Sequence, residues 1–462
     1  MNNSGNTAIE KIVANVLDTR FDDFDAATLE KTKYRIIDTL GCLIGGSTDT
    51  GNPELVSLFR DTGGKEESTI LIHGGKIPVG NAAFVNSVMA RSFDFEPVSP
   101  LVDGFSCPGH ISGTTVPTAV SMAESANVDG KGLITALLVG DDTATRILAA
   151  SGFGFSLGWD GVGTVNAFGA TAIAGRLLGL TQRQMRHAFG IVLNMLGTTF
   201  QTIWDATTAF KLPQGLAARA GVFSAQLAKA GWTGPEDALL SQFGYYKMFT
   251  AGCEKPEYLT DKLGKEYYAD STIKPYPCCR IPHSAIDCAL ELISKYGIKA
   301  DDIKKVNLDL AQGGIDHKCG DPFMIGDFPH SNAAFNYQYV MAAAFLNGCL
   351  KPEHFTEKAI RDSRITALVP RIKLVAVDDV RFEGARVKVT LNDGREFTEW
   401  REYAKGDPLH NPMSKDDIIA KFRTNVEFTG KVSKQKADEL LETLQNLDKL
   451  DSIRNLIPLM TA

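Results

Sequence analysis

Three cationic or titratable side chains lie close to two adjacent thiols in the stretch KPYPCCRIPHSAID. Lys274 opens this stretch, and Cys278 and Cys279 follow a Pro-Tyr-Pro turn. Arg280 and His283 come next, at the approach to a helical pattern. Residues of these types serve three kinds of site: a metal centre, a redox-active thiol pair and a binding site for an anion.

The spacing of the thiols disfavours a metal or redox site. Zinc sites commonly use C-x-x-C pairs, and neither Cys278 nor Cys279 belongs to one. No trio of well-spaced cysteines suits an iron–sulfur cluster, and adjacent cysteines rarely form an unstrained disulfide. We therefore predict that both thiols are small, buried side chains at a helix entrance, and we expect no metal.

The cations favour an anion site. Proline fixes φ and restricts the residue before it, so the turn holds the backbone beside Lys274. Arg280 and His283 stand where the free N–H groups of a helix N-terminus also attract anions. Three such residues around one stiff turn predict a site for a carboxylate or phosphate group.

A second group of candidates lies in a long loop between apolar helices. Asp94 and Glu96 precede a loop rich in proline and glycine, and His110 ends it at a helix entry. Loops of this kind often carry functional residues. The helix start keeps His110 neutral and able to act as a base, although packing roles are the alternative for all three. Lys211, among small and apolar residues, is either a surface lysine or a desolvated functional cation.

Several common motifs are missing. The segment GFSLGWDGVGTVNAFGA has neither G-x-G-x-x-G after a strand nor G-K-[ST], which excludes a nucleotide fold of these types. Asp160 in this segment is expected to cap the following helix. The sequence also lacks G-x-S-x-G and H-E-x-x-H.

Length, charge and the pattern of apolar residues exclude several classes of protein. A length of 462 residues predicts two or three domains, and the net charge of −7 argues against general nucleic-acid binding. The sequence contains no run of eighteen apolar residues, so we predict no membrane span. The N-terminus has no apolar signal core, so we expect a cytoplasmic protein in which the eight cysteines are free thiols.

The chain has helical periodicity in its first and last segments and strand-like alternation between them, and this order predicts a mainly α fold. Residues 1–268 have helical periodicity, with Asp25 as a cap before one helix and Thr181 and Gln184 as a capping box before another. Residues 269–404 contain alternating runs, including a hairpin signal at Asn392-Asp393-Gly394, and predict a smaller α+β domain. The helical residues 405–462 are expected to complete the first, all-helical domain.

These segments together resemble the MmgE/PrpD family. The resemblance runs nearly end to end and depends on the order of YRIIDTLGCLIGG, SFDFEPV, GHISGTTVPTAVSMAE, FKLPQGLAARAGVFSAQLAKAGWTGPEDAL, KPYPCCRIPHSAID and AAFNYQYVMAAAFLNG. The family includes 2-methylcitrate dehydratase, cis-aconitate decarboxylase and iminodisuccinate epimerase. The resemblance implies a large helical domain with a smaller α+β lid, and a homodimeric enzyme for small di- or tricarboxylates that needs no cofactor.

The resemblance also implies roles for individual residues. By position, the expected catalytic residues are Asp94, His110, Lys211, Lys274 and Tyr339. His110 is expected to transfer the proton, and the lysines are expected to stabilise the charge that develops on the substrate. The expected substrate-binding residues are Arg280, His283, Asp160 and Glu96.

The chain departs from the family pattern in its loop from Val98 to His110, which is longer than in the decarboxylase, and at two further places. It has FEPV after Asp94, where dehydratases and decarboxylases usually have F-D-D-T. It has Asp160 where the family commonly has a histidine. We expect a lyase that dehydrates a hydroxylated polycarboxylate, with an epimerase, a decarboxylase and a catalytically silent binding protein as the alternatives.

Overall fold

The computed structural model describes residues 7–152 and 157–462. Residues 1–6 and 153–156, which include the start of the chain and part of the glycine-rich segment before Asp160, lie outside the described residues. The chain is mainly α-helical and carries a smaller α+β domain, so the predicted fold class is confirmed.

The helices account for most of the chain. The first part contains α1 (Ala8–Asp18), α2 (Ala26–Gly46), α3 (Asn52–Thr62), α4 (Val79–Arg91), α5 (Ser112–Ala126), α6 (Gly130–Ala149), α7 (Val162–Leu177), α8 (Gln182–Val192), α9 (Gln201–Trp204), α10 (Leu212–Lys229) and α11 (Tyr245–Phe249). The second part contains α12 (His283–Tyr296), α13 (Gln312–Ile315), α14 (Pro329–Ala334), α15 (Tyr337–Asn347), α16 (Glu357–Ile360) and α17 (Ser363–Leu368). The C-terminal helices are α18 (Lys415–Thr429) and α19 (Lys434–Gln445).

The strands form three small sheets. They are β1 (Ser68–Thr69), β2 (Lys76–Ile77), β3 (Val98–Val102), β4 (Phe105–Ser106), β5 (Ser271–Thr272), β6 (Ile303–Leu310), β7 (Ile372–Ala376), β8 (Ala385–Leu391) and β9 (Glu396–Arg401). The first part is therefore not all-helical, because β1 pairs with β2, and β3 pairs with β4 and β5. The β3–β5 pair joins the two parts of the chain.

The predicted helix caps are confirmed. The Asp25 side chain accepts a hydrogen bond from the backbone N–H of Thr28 at 2.7 Å, and α2 ends at Gly46. Thr181 and Gln184 form both hydrogen bonds of a capping box at the start of α8. These bonds satisfy N–H groups that have no partner within the helix.

The four-stranded sheet of the second part has the order β7-β6-β8-β9. β6 runs parallel to β7 and antiparallel to β8, and the Asn392-Asp393-Gly394 turn joins β8 to β9 as predicted. Alternate residues of β8 are buried, as a half-buried strand requires. Helices α12 and α15 share one hydrophobic core with this sheet.

The C-terminal helix α18 packs against α2 in the core of the first part. The contact is close, because a Cβ atom on Gly41 would lie 3.2 Å from the Cα atom of Phe422. Lys421 on α18 donates to Asp38 on α2 and, at 2.7 Å, to the carbonyl oxygen of Phe95. This packing supports our proposal that residues 405–462 complete the first domain. None of the described helices combines the length and apolar character needed to cross a bilayer.

Candidate active site

A cavity of about 140 Å³ lies between the helical part and the α+β part. It is smaller than the roughly 300–1,000 Å³ pockets that hold drug-sized ligands, so it suits a small molecule. Its charged or titratable lining includes Arg91, Asp94, His110, Asp160, Arg280 and His317. Its apolar lining includes Val98, Phe200, Ile203, Trp204, Phe335 and Phe382.

The segment from the end of α4 to the start of α5 brings one ionic cluster to the cavity wall. Arg91 is the last residue of α4, and Asp94 and Glu96 lie in the turn between α4 and β3. His110 lies two residues before α5. Two amide side chains hold its backbone carbonyl oxygen: Asn166 donates to it at 2.7 Å and Gln214 at 2.9 Å.

Arg91 is the centre of this cluster. Its Nη1 atom forms ion pairs with the carboxylates of Asp94 and, at 2.9 Å, Glu96. The Nδ1 atom of His110 lies 2.9 Å from the same oxygen of Glu96. Nδ1 also lies 2.9 Å from Arg91 Nη1, so the carboxylate and the guanidinium group together hold the imidazole ring in place.

The cluster sets the charge of each member. Burial alone would raise the pKa of Glu96, but Arg91 and His110 hold this pKa well below its usual value. Burial and then the Arg91 charge lower the pKa of His110. The imidazole is therefore neutral at neutral pH, and its side chain, 19% exposed, remains accessible from the cavity. A neutral, oriented imidazole is suited to accept a proton.

Asp160 reaches the cavity from the entrance of α7. Its carboxyl group accepts a hydrogen bond from the backbone N–H of Val162, the first residue of α7, at 3.0 Å, although the N-cap residue of this helix is Gly161. Burial raises the pKa of this carboxyl group, and Arg91 only partly opposes the increase. Asp160 therefore holds a proton to higher pH than an exposed aspartate and can act as an acid.

Lys274 stands behind Asp94 instead of on the cavity wall. It is fully buried, and its ammonium group donates to the Asp94 carbonyl oxygen at 2.6 Å and to its carboxylate at 2.8 Å. The expected direct contact between Lys274 and a substrate is therefore not what the geometry provides. Instead, Lys274 fixes an aspartate whose φ of +49° lies in the left-handed region.

Arg280 lines the cavity, whereas His283 lies beneath it. Arg280 is held by the backbone carbonyl oxygens of Lys405, at 2.8 Å, and Ala404, at 3.3 Å. His283 begins α12 and is fully buried, with Nε2 at 3.4 Å from the Cys278 carbonyl oxygen. Burial and Arg280 place the pKa of His283 well below its usual value, so it is a neutral support for the cation.

Two predicted catalytic residues are not brought to this cavity. The ammonium group of Lys211 pairs with Asp49 at 2.8 Å and donates to the Thr50 carbonyl oxygen at 2.6 Å. The hydroxyl group of Tyr339 donates to the backbone carbonyl oxygen of His354. Both side chains are buried in packed surroundings, Lys211 over the ring of Phe328.

Sequence reasoning missed Arg91 and His317. Arg91 precedes Asp94 by three residues at a helix end, a spacing that places both on one side of the turn. No local pattern marks His317, which reaches the cavity only through the fold. The thiols of Cys278 and Cys279 are buried, as expected, but Cys279 also lines the cavity.

Two groups of side chains have the composition of metal ligands. Asp94, Glu96 and His110 lie within 4.8 Å of one another, but the Arg91 guanidinium already pairs with both carboxylates. A cation there would meet a fixed positive charge, so this group does not fit a metal. The second group consists of Cys279, His317 and Cys319, whose ligand atoms also lie within 4.8 Å of one another.

A helical domain that meets an α+β domain over a small acid–base cavity is the arrangement of a two-domain enzyme. The model of the MmgE/PrpD N-terminal domain matches residues 10–257, and that of the MmgE/PrpD C-terminal domain matches residues 276–447. The chain belongs to the MmgE/PrpD family, which confirms the resemblance seen in the sequence.

Curated relatives match over nearly their whole length. A cis-aconitate decarboxylase of Aspergillus terreus is 24% identical over 470 residues, covering 95% of this chain and 93% of the relative. The cis-aconitate decarboxylase of Homo sapiens is 25% identical, covering 94% and 90%. That of Mus musculus is 24% identical, covering 92% and 87%.

Proposed function

We propose that this protein is a lyase that removes water from a small hydroxylated di- or tricarboxylate by proton transfer next to a carboxylate. Membership of the MmgE/PrpD family and the relatives named cis-aconitate decarboxylase support a lyase that acts on a tricarboxylate. The cavity of about 140 Å³ is compatible with a molecule of that size.

The observation that carries the proposal is that His110 and Asp160 line the same cavity. Dehydration needs a base for the proton on carbon and an acid for the departing hydroxyl group. The pKa of His110 is lowered and that of Asp160 is raised, so their shifts are opposite and match these two roles. Titratable groups whose pKa values are moved in opposite directions indicate an acid and a base.

The proposed reaction proceeds as follows. The imidazole of His110 takes the proton from the carbon next to a substrate carboxylate. The electron pair of that C–H bond is first held on the oxygens of the adjacent substrate carboxylate, and it then forms the new double bond as the C–O bond at the neighbouring carbon breaks. Asp160 gives its proton to the departing hydroxyl group, which leaves as water.

Two arginines are assigned to the substrate carboxylates. Negative charge builds on the carboxylate oxygens as the proton leaves, and fixed cations stabilise it best in a site shielded from water. Arg91 and Arg280 line the cavity and are both held by other groups, so they need little reorganisation. Lys274 does not touch the substrate but holds Asp94 in place, and Glu96 orients His110.

Decarboxylation is the second candidate because the curated relatives are named for it. A decarboxylase must hold the departing carboxylate and then protonate the carbon that remains. Asp160, protonated, suits that last step, whereas a base such as His110 is not needed to begin it. The acid–base pair therefore favours dehydration, and the relatives favour decarboxylation.

Proton NMR in deuterated water distinguishes these reactions. The purified protein is incubated separately with 2-methylcitrate, cis-aconitate and iminodisuccinate. Dehydration of the hydroxy acid gives new alkene signals, whereas decarboxylation of cis-aconitate gives itaconate-type alkene signals with loss of a carboxylate. Epimerisation exchanges hydrogen for deuterium without an alkene. No change with any of the three would contradict the proposed lyase activity on these substrates.

The remaining expectations stay predictions. A homodimer and a cytoplasmic location are implied by the resemblance and by the sequence, and sedimentation of the purified chain tests the first. Activity that survives exhaustive chelation would agree with the expected absence of a required metal.

A further inference from the structure

Two distant segments bring three soft or borderline ligands together at the cavity. Cys279 follows the Pro-Tyr-Pro turn, and His317 and Cys319 lie in the connection after β6. One ligand atom of each residue lies within 4.8 Å of those of the other two. Cys279 and His317 line the cavity, and Cys319 is fully buried behind them.

The geometry is close to what a tetrahedral metal site requires. Zn–S bonds of about 2.3 Å place two thiolates of such a site roughly 3.8 Å apart. The three ligand atoms already lie within 4.8 Å of one another. Three protein ligands leave a fourth position, which faces the cavity because two of the three ligands line it.

We infer that Cys279, His317 and Cys319 form a binding site for one soft or borderline divalent cation of the Zn²⁺ type on the cavity wall. Each thiol that is still protonated releases its proton to solvent as its sulfur–metal bond forms. The sequence analysis considered Cys279, but His317 and Cys319 lie about forty residues further along the chain and meet it only in the fold.

Occupation of this site inhibits turnover. Cys279 and His317 line the same cavity as Asp94 and His110, which places the set near the acid–base cluster. A bound ion attracts Asp94 and takes space from a cavity of only about 140 Å³. Binding of the ion stands independently of the proposed function, whereas this inhibition depends on it.

Titration of the reduced protein with Co²⁺ alone, without oxygen, tests the site. Co²⁺ replaces Zn²⁺ and reports thiolate ligation by charge-transfer absorption and tetrahedral geometry by visible bands. We expect one equivalent to bind. Cys279→Ser and Cys319→Ser should each weaken binding at least about tenfold, since loss even of outer partners of metal ligands costs 10–100-fold. Zn²⁺ should then displace Co²⁺ and bleach the spectrum.

Cys278→Ser is the matched control, because Cys278 is the adjacent buried thiol and is not a member of the set. It should bind Co²⁺ as the unmodified protein does. His317→Gln removes the third ligand without touching a thiol and keeps the test valid if a serine variant fails to fold by circular dichroism. Absence of charge-transfer bands in the unmodified protein, or bands unchanged in Cys279→Ser and His317→Gln, would overturn the inference.

Discussion

Lys274 and Asp94 form a buried ion pair in which the lysine holds both the side chain and the backbone of the aspartate. The Nζ atom lies 2.8 Å from the Asp94 carboxylate and 2.6 Å from its carbonyl oxygen. Neither side chain is more than 1% exposed. Because Asp94 also pairs with Arg91, this lysine fixes the ionic cluster that carries His110.

Lys274→Met should destabilise the protein. Removal of one partner of a buried pair leaves a charge without compensation and typically costs about 3–5 kcal/mol. Asp94 still pairs with Arg91 in this variant. We therefore expect the free energy of unfolding, measured in urea, to fall by about 3 kcal/mol. The double variant Lys274→Met/Asp94→Asn removes the stranded charge and should recover part of this loss.

The single variant Asp94→Asn completes this double-mutant cycle. Unfolding of Lys274→Met at the same urea concentration as the unmodified protein would show that the pair contributes nothing. Equal stability of the single and double lysine variants would show that Asp94 is not the group left without a partner.

His110→Gln should abolish most of the turnover. Glutamine can keep a hydrogen bond to Glu96 but has no nitrogen that can take a proton from carbon. Loss of a general base typically costs about 10²–10⁴-fold, so kcat should fall by that factor with little change in KM. His187→Gln is the control, because His187 on α8 is not among the cavity-lining residues and contacts only Gly234 in the described hydrogen bonds. A kcat that falls equally in both variants would count against His110 as the base.

Asp160→Asn should separate proton removal from loss of water. An amide cannot protonate the departing hydroxyl group, so alkene formation should fall by at least about 10²-fold. His110 is untouched, so exchange of the substrate C–H hydrogen with deuterated solvent should continue. Both rates come from one NMR experiment. Unchanged alkene formation would remove Asp160 from the reaction, and equal loss of both rates would assign it to substrate binding instead.

The fold was predictable where local chemistry decides it. The caps at Asp25 and Thr181 and the Asn392-Asp393-Gly394 turn depend on hydrogen bonds within a few residues, and all three are confirmed. The short strands β3 and β5 were not predicted. Their pairing joins segments about 170 residues apart and leaves no periodicity in strands as short as Ser271–Thr272.

The site was predictable only in part. The sequence indicated Asp94, His110 and Asp160, and the structure brings them to one cavity. Their roles remain proposals. The partner of each charge could not be predicted, because Lys274 pairs with a residue 180 positions away.

The place of Lys211 illustrates the same limit. Its apolar neighbours in sequence were compatible with a functional cation or a surface residue. Its contact with Asp49, 162 positions away, exists only in the fold.

The pH dependence of kcat/KM tests the acid–base pair directly. Burial and Arg91 lower the pKa of His110 from 6.5, so the base becomes protonated, and kcat/KM falls, only below pH 6.5. Burial raises the pKa of Asp160 from 3.8, so the acid loses its proton, and kcat/KM falls again, at a pH above 3.8. We therefore expect a bell-shaped profile whose acid limb lies below pH 6.5.

Arg91→Gln should move one limb of that profile in a known direction. The positive charge of Arg91 lowers the pKa of His110, so its removal raises that pKa and shifts the acid limb to higher pH. Initial rates at low substrate concentration, measured across the pH range for the unmodified protein and for Arg91→Gln of verified fold, give both limbs. Arg176→Gln serves as the control, because Arg176 at the end of α7 bonds the carbonyl oxygen of Thr19 and lies outside the cavity lining. An acid limb that stays in place, or moves to lower pH, would show that His110 does not control the reaction.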